Sequence, residues 1–171
     1  MLCADDTPNA RDVSKASPDR RHSRQAFAFA IALAVLLVAA WLAYHPGLSG
    51  DFLFDDFGNL PAIGATGPIH HWATFWRYLT SGTADPTGRP LTLLSFLIDA
   101  RDWPASPYSF KVTNVLLHLL NGALLCTVLL RLGQALKLEA LQARIAALFG
   151  AGAWLLHPLL VSTTLYVVQR E

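Results

Sequence analysis

Residues 49–60 read SGDFLFDDFGNL and set two carboxylates side by side, Asp55 and Asp56, four positions after a third, Asp51. Two carboxylates in contact split their titrations, which leaves one of them better suited to act as a base. Phe52, Phe54 and Phe57 surround the pair and lower the local dielectric. The same pair has a plainer use, capping a helix or turn in an outward-facing loop. Adjacent carboxylates also suit a divalent cation beside a phosphate, so a metal held by Asp55 and Asp56 stays open. No other cofactor is called for.

A second set of polar residues lies in an apolar segment. Lys111, Asn114, His118 and Asn121 recur at i, i+3, i+7 and i+10, one narrow stripe of a helix. Polar groups at membrane depth are costly and face protein or a water-filled cavity. Asn and His also serve as ordinary interhelical hydrogen-bonding groups. Arg89, His157 and Arg170 add charge or imidazole on the same expected side of the membrane. Carboxylates with Arg, Lys and His at one face fit a phosphate-bearing substrate whose hydroxyl partner must lose a proton.

The elements that position these residues are membrane helices. The chain has 171 residues, 53% of them hydrophobic and 15% charged, against about a quarter charged in a soluble domain. A net charge of +1 points away from nucleic acid. Cys3 and Cys126 have no CxxC spacing and form no disulfide framework or metal site. No P-loop, Rossmann glycine pattern, HExxH or nucleophile elbow occurs.

The pattern predicts an all-α membrane protein with about three spans. Residues 1–24 form a polar tail rich in Asp, Arg, Ser and Pro, expected to be disordered. The apolar run 25–44 is the first span; it is longer than a signal-peptide core and lacks a clean cleavage site. Residues 45–111 form an outward loop, 112–130 a second span, 131–144 a connection and 145–168 a third span broken at His157-Pro158. Residues 169–171 begin a second outward loop. In 45–111, Trp72, Phe75, Trp76 and Leu79 mark one face of a short interfacial helix, and 89–103 a second.

Arg11, Lys15, Arg20, Arg21 and Arg24 precede the first span, and Arg131, Lys137 and Arg144 fill the 131–144 connection. The positive-inside rule then places the N-terminus and that connection in the cytoplasm, and Asp55-Asp56 on the far side.

Taken in order, FLFDD..NL, GRPLTLLSFLID, KVTNVLLHLLNG and LLHPLLVSTTLYVVQRE resemble the lipid-linked-sugar glycosyltransferases of the GT-C superfamily. They are most similar to the tetratricopeptide-containing transmembrane O-mannosyltransferases and their bacterial relatives. The resemblance runs from about Tyr44 to Glu171. It implies the front part of a GT-C-like bundle that moves a sugar from a polyprenyl or dolichyl phosphate to a hydroxyl acceptor, protein or glycan, on the outer face. It implies Asp55 as base and Asp56 as its partner, an order the residues themselves leave open. Arg89, Lys111, Asn114, His118, His157 and Arg170 are then candidates for the donor phosphate and sugar pocket, and Glu171 for a second acidic region. Family members have many more spans, so the expectation is the N-terminal portion of such an enzyme, in a bacterial inner membrane. The competing expectation is a non-catalytic membrane subunit or truncated remnant that packs against further helices through the Asn/His stripe. A proton-coupled transporter ranks lower, since no span carries an acid and no inverted repeat is visible.

Overall fold

The structure is a computed structural model and describes residues 18–65, 67–81 and 89–170. It is all-helical, and no strand occurs among the described residues. Most of the 1–24 tail lies outside them. Helix α1 spans Pro18–Tyr44, so helix replaces the expected disorder from Pro18 onward. Proline suits a first helical position because its φ is already near the helical value. The helix ends where Pro46 follows His45, in a 3-10 turn at His45–Ser49.

Four short segments follow in the loop expected to face outward: α2 at Asp56–Asn59, a 3-10 turn at Leu60–Ile63, α3 at Trp72–Leu79 and α4 at Pro90–Phe96. The long helix α5 runs Pro107–Ala135, α6 Ala140–Leu155 and α7 Leu159–Leu165, with a last 3-10 turn at Val167–Arg170. Two helical stretches, Ser23–Ser49 and Pro107–Ala135, are long and apolar enough to cross a membrane. The pair α6 and α7, bent by 65° at its break, makes a third if taken as one span. The cause of the break is Pro158, which removes a helical donor and clashes with the turn before it.

Helices α5 and α6 form an antiparallel hairpin. The Leu138 N–H donates to the Gly133 carbonyl and the Lys137 N–H to that of Gln134, each at 3.0 Å. Lys137 sits at φ 58°, the left-handed cap that ends a helix in this double hydrogen-bond pattern. The turn is therefore shorter than the expected 131–144 connection, because helix continues beyond the apolar stretch on both sides. The hairpin is packed through small residues: Ala143, Ala147, Ala151 and Leu155 of α6 are all fully buried, against Gly122, Cys126 and Gly133 of α5. A Cβ at Gly122 would lie 2.4 Å from Leu155 Cδ2, so only glycine permits this approach.

This loop has a core of its own. Phe52, Leu60, Ile63, Ile69, Tyr78, Leu93 and Phe96 pack around Phe110 of α5 and Val167. The expected stripe of α3 is divided: Phe75 and Leu79 pack on this core, while Trp72 and Trp76 stack on each other and stay exposed. The second expected helix, 89–103, is helical only over Pro90–Phe96.

Candidate functional site

The two adjacent acids have opposite environments. Asp56 is fully buried and accepts two backbone hydrogen bonds, from Leu53 N–H to Oδ2 and from Val168 N–H to Oδ1, both 2.9 Å. It closes its own turn and fastens that turn to a segment 112 residues later. Asp55 is exposed, and its carboxylate has no partner among the described residues. Its backbone is held instead: the Asp55 N–H donates to the Tyr166 hydroxyl at 3.0 Å, and its carbonyl accepts from Asn59 Nδ2 at 2.9 Å. A fixed backbone carrying a free carboxylate is the arrangement a base requires. With both Asp56 oxygens committed, the pair does not offer two free carboxylates to a cation. Among the described residues no three His, Cys, Asp or Glu side chains converge.

The predicted stripe on α5 is split by its partners. Lys111 is buried and its Nζ donates to the carbonyls of Gly50, at 2.8 Å, and Asp51, at 3.0 Å, which ties the acidic loop to the top of the helix. Asn114 is buried and accepts from Arg170 Nε at 2.6 Å. His118 places Nε2 3.0 Å from the Leu155 carbonyl and stacks on Trp154. The Tyr44 hydroxyl donates to the same carbonyl at 3.3 Å, so two side chains meet this buried carbonyl at the C-terminal end of α6. Asn121 remains exposed.

Arg170 is a hub rather than a free cation. Its Nη2 lies 2.7 Å from Asp99 Oδ2 and 2.9 Å from the Phe110 carbonyl, and its Nη1 donates to the Ser95 carbonyl at 3.0 Å. The side chains of Arg170 and Asp99 are each 3% exposed. Burial pushes the guanidinium below its usual range, and Asp99 pulls it back up. Asp99 Oδ1 also accepts from the Thr113 hydroxyl, while its buried Oδ2 has the Arg170 guanidinium as its counter-charge.

Asn114, His118 and Arg170 thus come together with Asn121, Thr163 and Gln169 around a cavity of about 270 Å³ between α5 and α7. Lys111, His157 and Arg89 do not line it. His157 sits exposed at the helix break, its Nδ1 accepting from Leu159 N–H at 3.3 Å. Arg89 precedes α4 at φ 25°. A larger cleft of about 950 Å³ between α3 and α4 is mainly apolar and contains neither Asp55 nor Asp56.

Sequence reasoning missed Asp99, Tyr44 and Tyr166. Asp99 had a signal, as the acid that ends GRPLTLLSFLID, while nothing in spacing singles out either tyrosine.

Over 122 residues the chain is 33% identical to the protein O-mannosyl-transferase TMTC1 of Mus musculus. The match takes in 67% of this chain and 13% of that protein, so the chain spans only a small part of its relative's length. No family model and no solved structure matches the chain.

Proposed function

We propose that this chain supplies the acidic loop and adjoining helices of a membrane glycosyltransferase. The donor is a sugar on a polyprenyl phosphate and the acceptor a hydroxyl group, on protein or glycan, at the outer face. The observation that carries this reading is the division of labour in the acidic pair. Asp56 is consumed as a structural staple, which leaves Asp55 exposed on a backbone pinned by Tyr166. The mouse O-mannosyl-transferase supports the reaction class, and the ordered GT-C-like motifs support the lipid-linked donor.

In this scheme the Asp55 carboxylate takes the proton of the acceptor hydroxyl. The oxygen attacks the anomeric carbon, and the bond from that carbon to the phosphate oxygen breaks. The polyprenyl phosphate leaves with the electron pair. General-base assistance of this kind contributes about 10²–10⁴-fold. Asp55→Asn is therefore expected to lower transfer by that factor, while membrane insertion and thermal unfolding stay unchanged. Transfer from a radiolabelled polyprenyl-phosphate sugar, in membranes carrying the protein in its native gene context, checks this. Undiminished turnover removes Asp55 from the mechanism.

One observation favours a second reading. Asn121 is exposed on an apolar span between the exposed Leu117, Leu120 and Leu124, as in a subunit that packs against other membrane helices. The Asp55→Asn result separates the two, since a packing subunit tolerates that change.

A further inference from the structure

The larger cleft, of about 950 Å³ between α3 and α4, lies beside the start of a membrane-crossing helix. Phe96 of α4 packs edge-on against Phe110 in the first turn of α5, ring centroids 6.0 Å apart. Beyond Lys111, residues 112–130 of α5 contain no Asp, Glu, Lys or Arg. At ~1.5 Å per residue that run covers about 28 Å, close to a ~30 Å hydrocarbon core. Phe110, and with it the cleft, therefore falls at headgroup depth on the side of the acidic loop. The walls suit that depth. Trp72 is 74% and Ile98 75% exposed, and Leu94 is exposed beside them. Exposed apolar groups gathered in one place mark an interaction site, and tryptophan favours the membrane interface. Trp72 is held in place by Phe75 and Trp76, stacked at 5.3 and 5.9 Å.

The same cleft carries three basic side chains, His70, His71 and Arg101. The Ile69 N–H donates to the Arg101 carbonyl at 2.7 Å, which lays residues 69–71 alongside 101. All three side chains are exposed, and the Arg101 guanidinium has no partner among the described residues. Of the two nearby acids, Asp99 is matched by Arg170 at 2.7 Å, and Asp102 turns Oδ1 back to the Trp103 N–H at 2.8 Å. Neither is paired with Arg101. Apolar walls joined to free basic groups at headgroup depth match an anion that carries a hydrocarbon chain. We propose that this cleft holds one anionic phospholipid of the surrounding bilayer. An acyl chain lies against Trp72, Leu94 and Ile98, and the phosphate meets Arg101, His70 and His71. Bilayer lipid reaches these groups without leaving the membrane, whereas a water-soluble partner would have to displace lipid from them. A zwitterionic headgroup brings its own ammonium to the basic cluster, so the cleft selects net negative charge. The assignment is independent of the transfer reading and needs only that α5 cross the membrane.

The test places the full chain in phosphatidylcholine nanodiscs and replaces that lipid stepwise with phosphatidylglycerol. The nitrogen-15 indole signals of Trp72 and Trp154 are the readout. Trp72 is expected to shift and to saturate while phosphatidylglycerol is still the minor lipid, and Trp154, within α6, stays in place. Glycerol phosphate, which has the headgroup anion and no chain, leaves Trp72 unmoved. Arg101→Gln changes an exposed, unpartnered side chain, so thermal unfolding is expected to hold. It is expected to raise the phosphatidylglycerol fraction at half-shift about five-fold. Lys137→Gln removes the same charge at the far end of α5 and is expected to leave that fraction unchanged. A Trp72 signal that never shifts, or that drifts in proportion to phosphatidylglycerol alike in both variants, overturns the site. An equal shift from glycerol phosphate overturns it in favour of a free anion. A prenyl phosphate that displaces phosphatidylglycerol at far lower fraction overturns it in favour of the donor lipid. Transfer by Asp55→Asn bears on none of these outcomes, so the two readings fail separately.

Discussion

At the residue scale, neighbouring identical side chains have diverged because only one of them faces inward. Removing Asp56 by Asp56→Ala leaves the part-buried Leu53 and Val168 N–H groups without their acceptor. An unsatisfied buried donor costs about 1–3 kcal/mol, so this variant is expected to melt clearly lower in nanodiscs. Asp55→Ala removes an exposed, unpartnered carboxylate and is expected to change stability by no more than ~0.5 kcal/mol. Arg170→Lys is the second case. A lysine cannot reproduce a fork that reaches Asp99, Asn114, Ser95 and Phe110 together, and it leaves Asp99 poorly compensated. Breaking a buried pair costs about 3–5 kcal/mol, so thermal unfolding is expected to fall even though the charge is conserved. Charge and position alone made Arg170 look like a phosphate ligand in the sequence. Its partner Asp99 lies 71 positions away, and a single sequence carries no sign of that pairing.

At the scale of elements, the tightest contact is the α5–α6 hairpin at Gly122 and Leu155. A methyl group at Gly122 meets three atoms of a fully buried leucine at 2.4–2.8 Å. The same leucine's carbonyl receives His118 and Tyr44, so displacing it also disturbs the cap of α6. Gly122→Ala is expected to destabilise by about 1–3 kcal/mol, the usual cost of overpacking. Adding Leu155→Ala to Gly122→Ala recovers part of that loss, and a double-mutant cycle of thermal unfolding measures the coupling. The spans themselves were legible, because long uncharged runs leave few alternatives. The break at Pro158 was legible for the same reason, since proline acts locally. The ends of α5 and α6 were not, because their last turns are set by a cap at Lys137 and by Gly/Ala packing rather than by hydropathy. The every-fourth-residue alanines of α6 were in plain view, but their meaning depends on which helix lies opposite.

For the whole molecule, the described helices place the acidic loop and the Val167–Arg170 turn together at one end of α5 and the α5–α6 turn at the other. The charge bias of the sequence predicts that the first end faces outward. Cysteine placed at Gly58, where a Cβ meets nothing within 4 Å, is expected to react with a membrane-impermeant maleimide in intact cells. Cysteine at Lys137 is expected to react only after permeabilisation. The reverse pattern inverts the topology and puts Asp55 on the wrong side for an outward acceptor. The loop's own core was not foreseen, since its residues are scattered from Phe52 to Val167 and become one cluster only when Phe110 and the final turn close it.

That closure has a consequence in time. The Asp56 turn is synthesised 112 residues before Val168, the group that completes it. Translation proceeds at about 5–20 residues per second, so the loop waits on the order of ten seconds for its second anchor. During that interval Phe52, Leu60 and Ile63 have only part of their cover, and Asp56 has only one of its two backbone donors. The Asp55-Asp56 turn is therefore made well before the segment that completes its anchoring. Until Val168 arrives, the Asp56 carboxylate is held from its own turn alone.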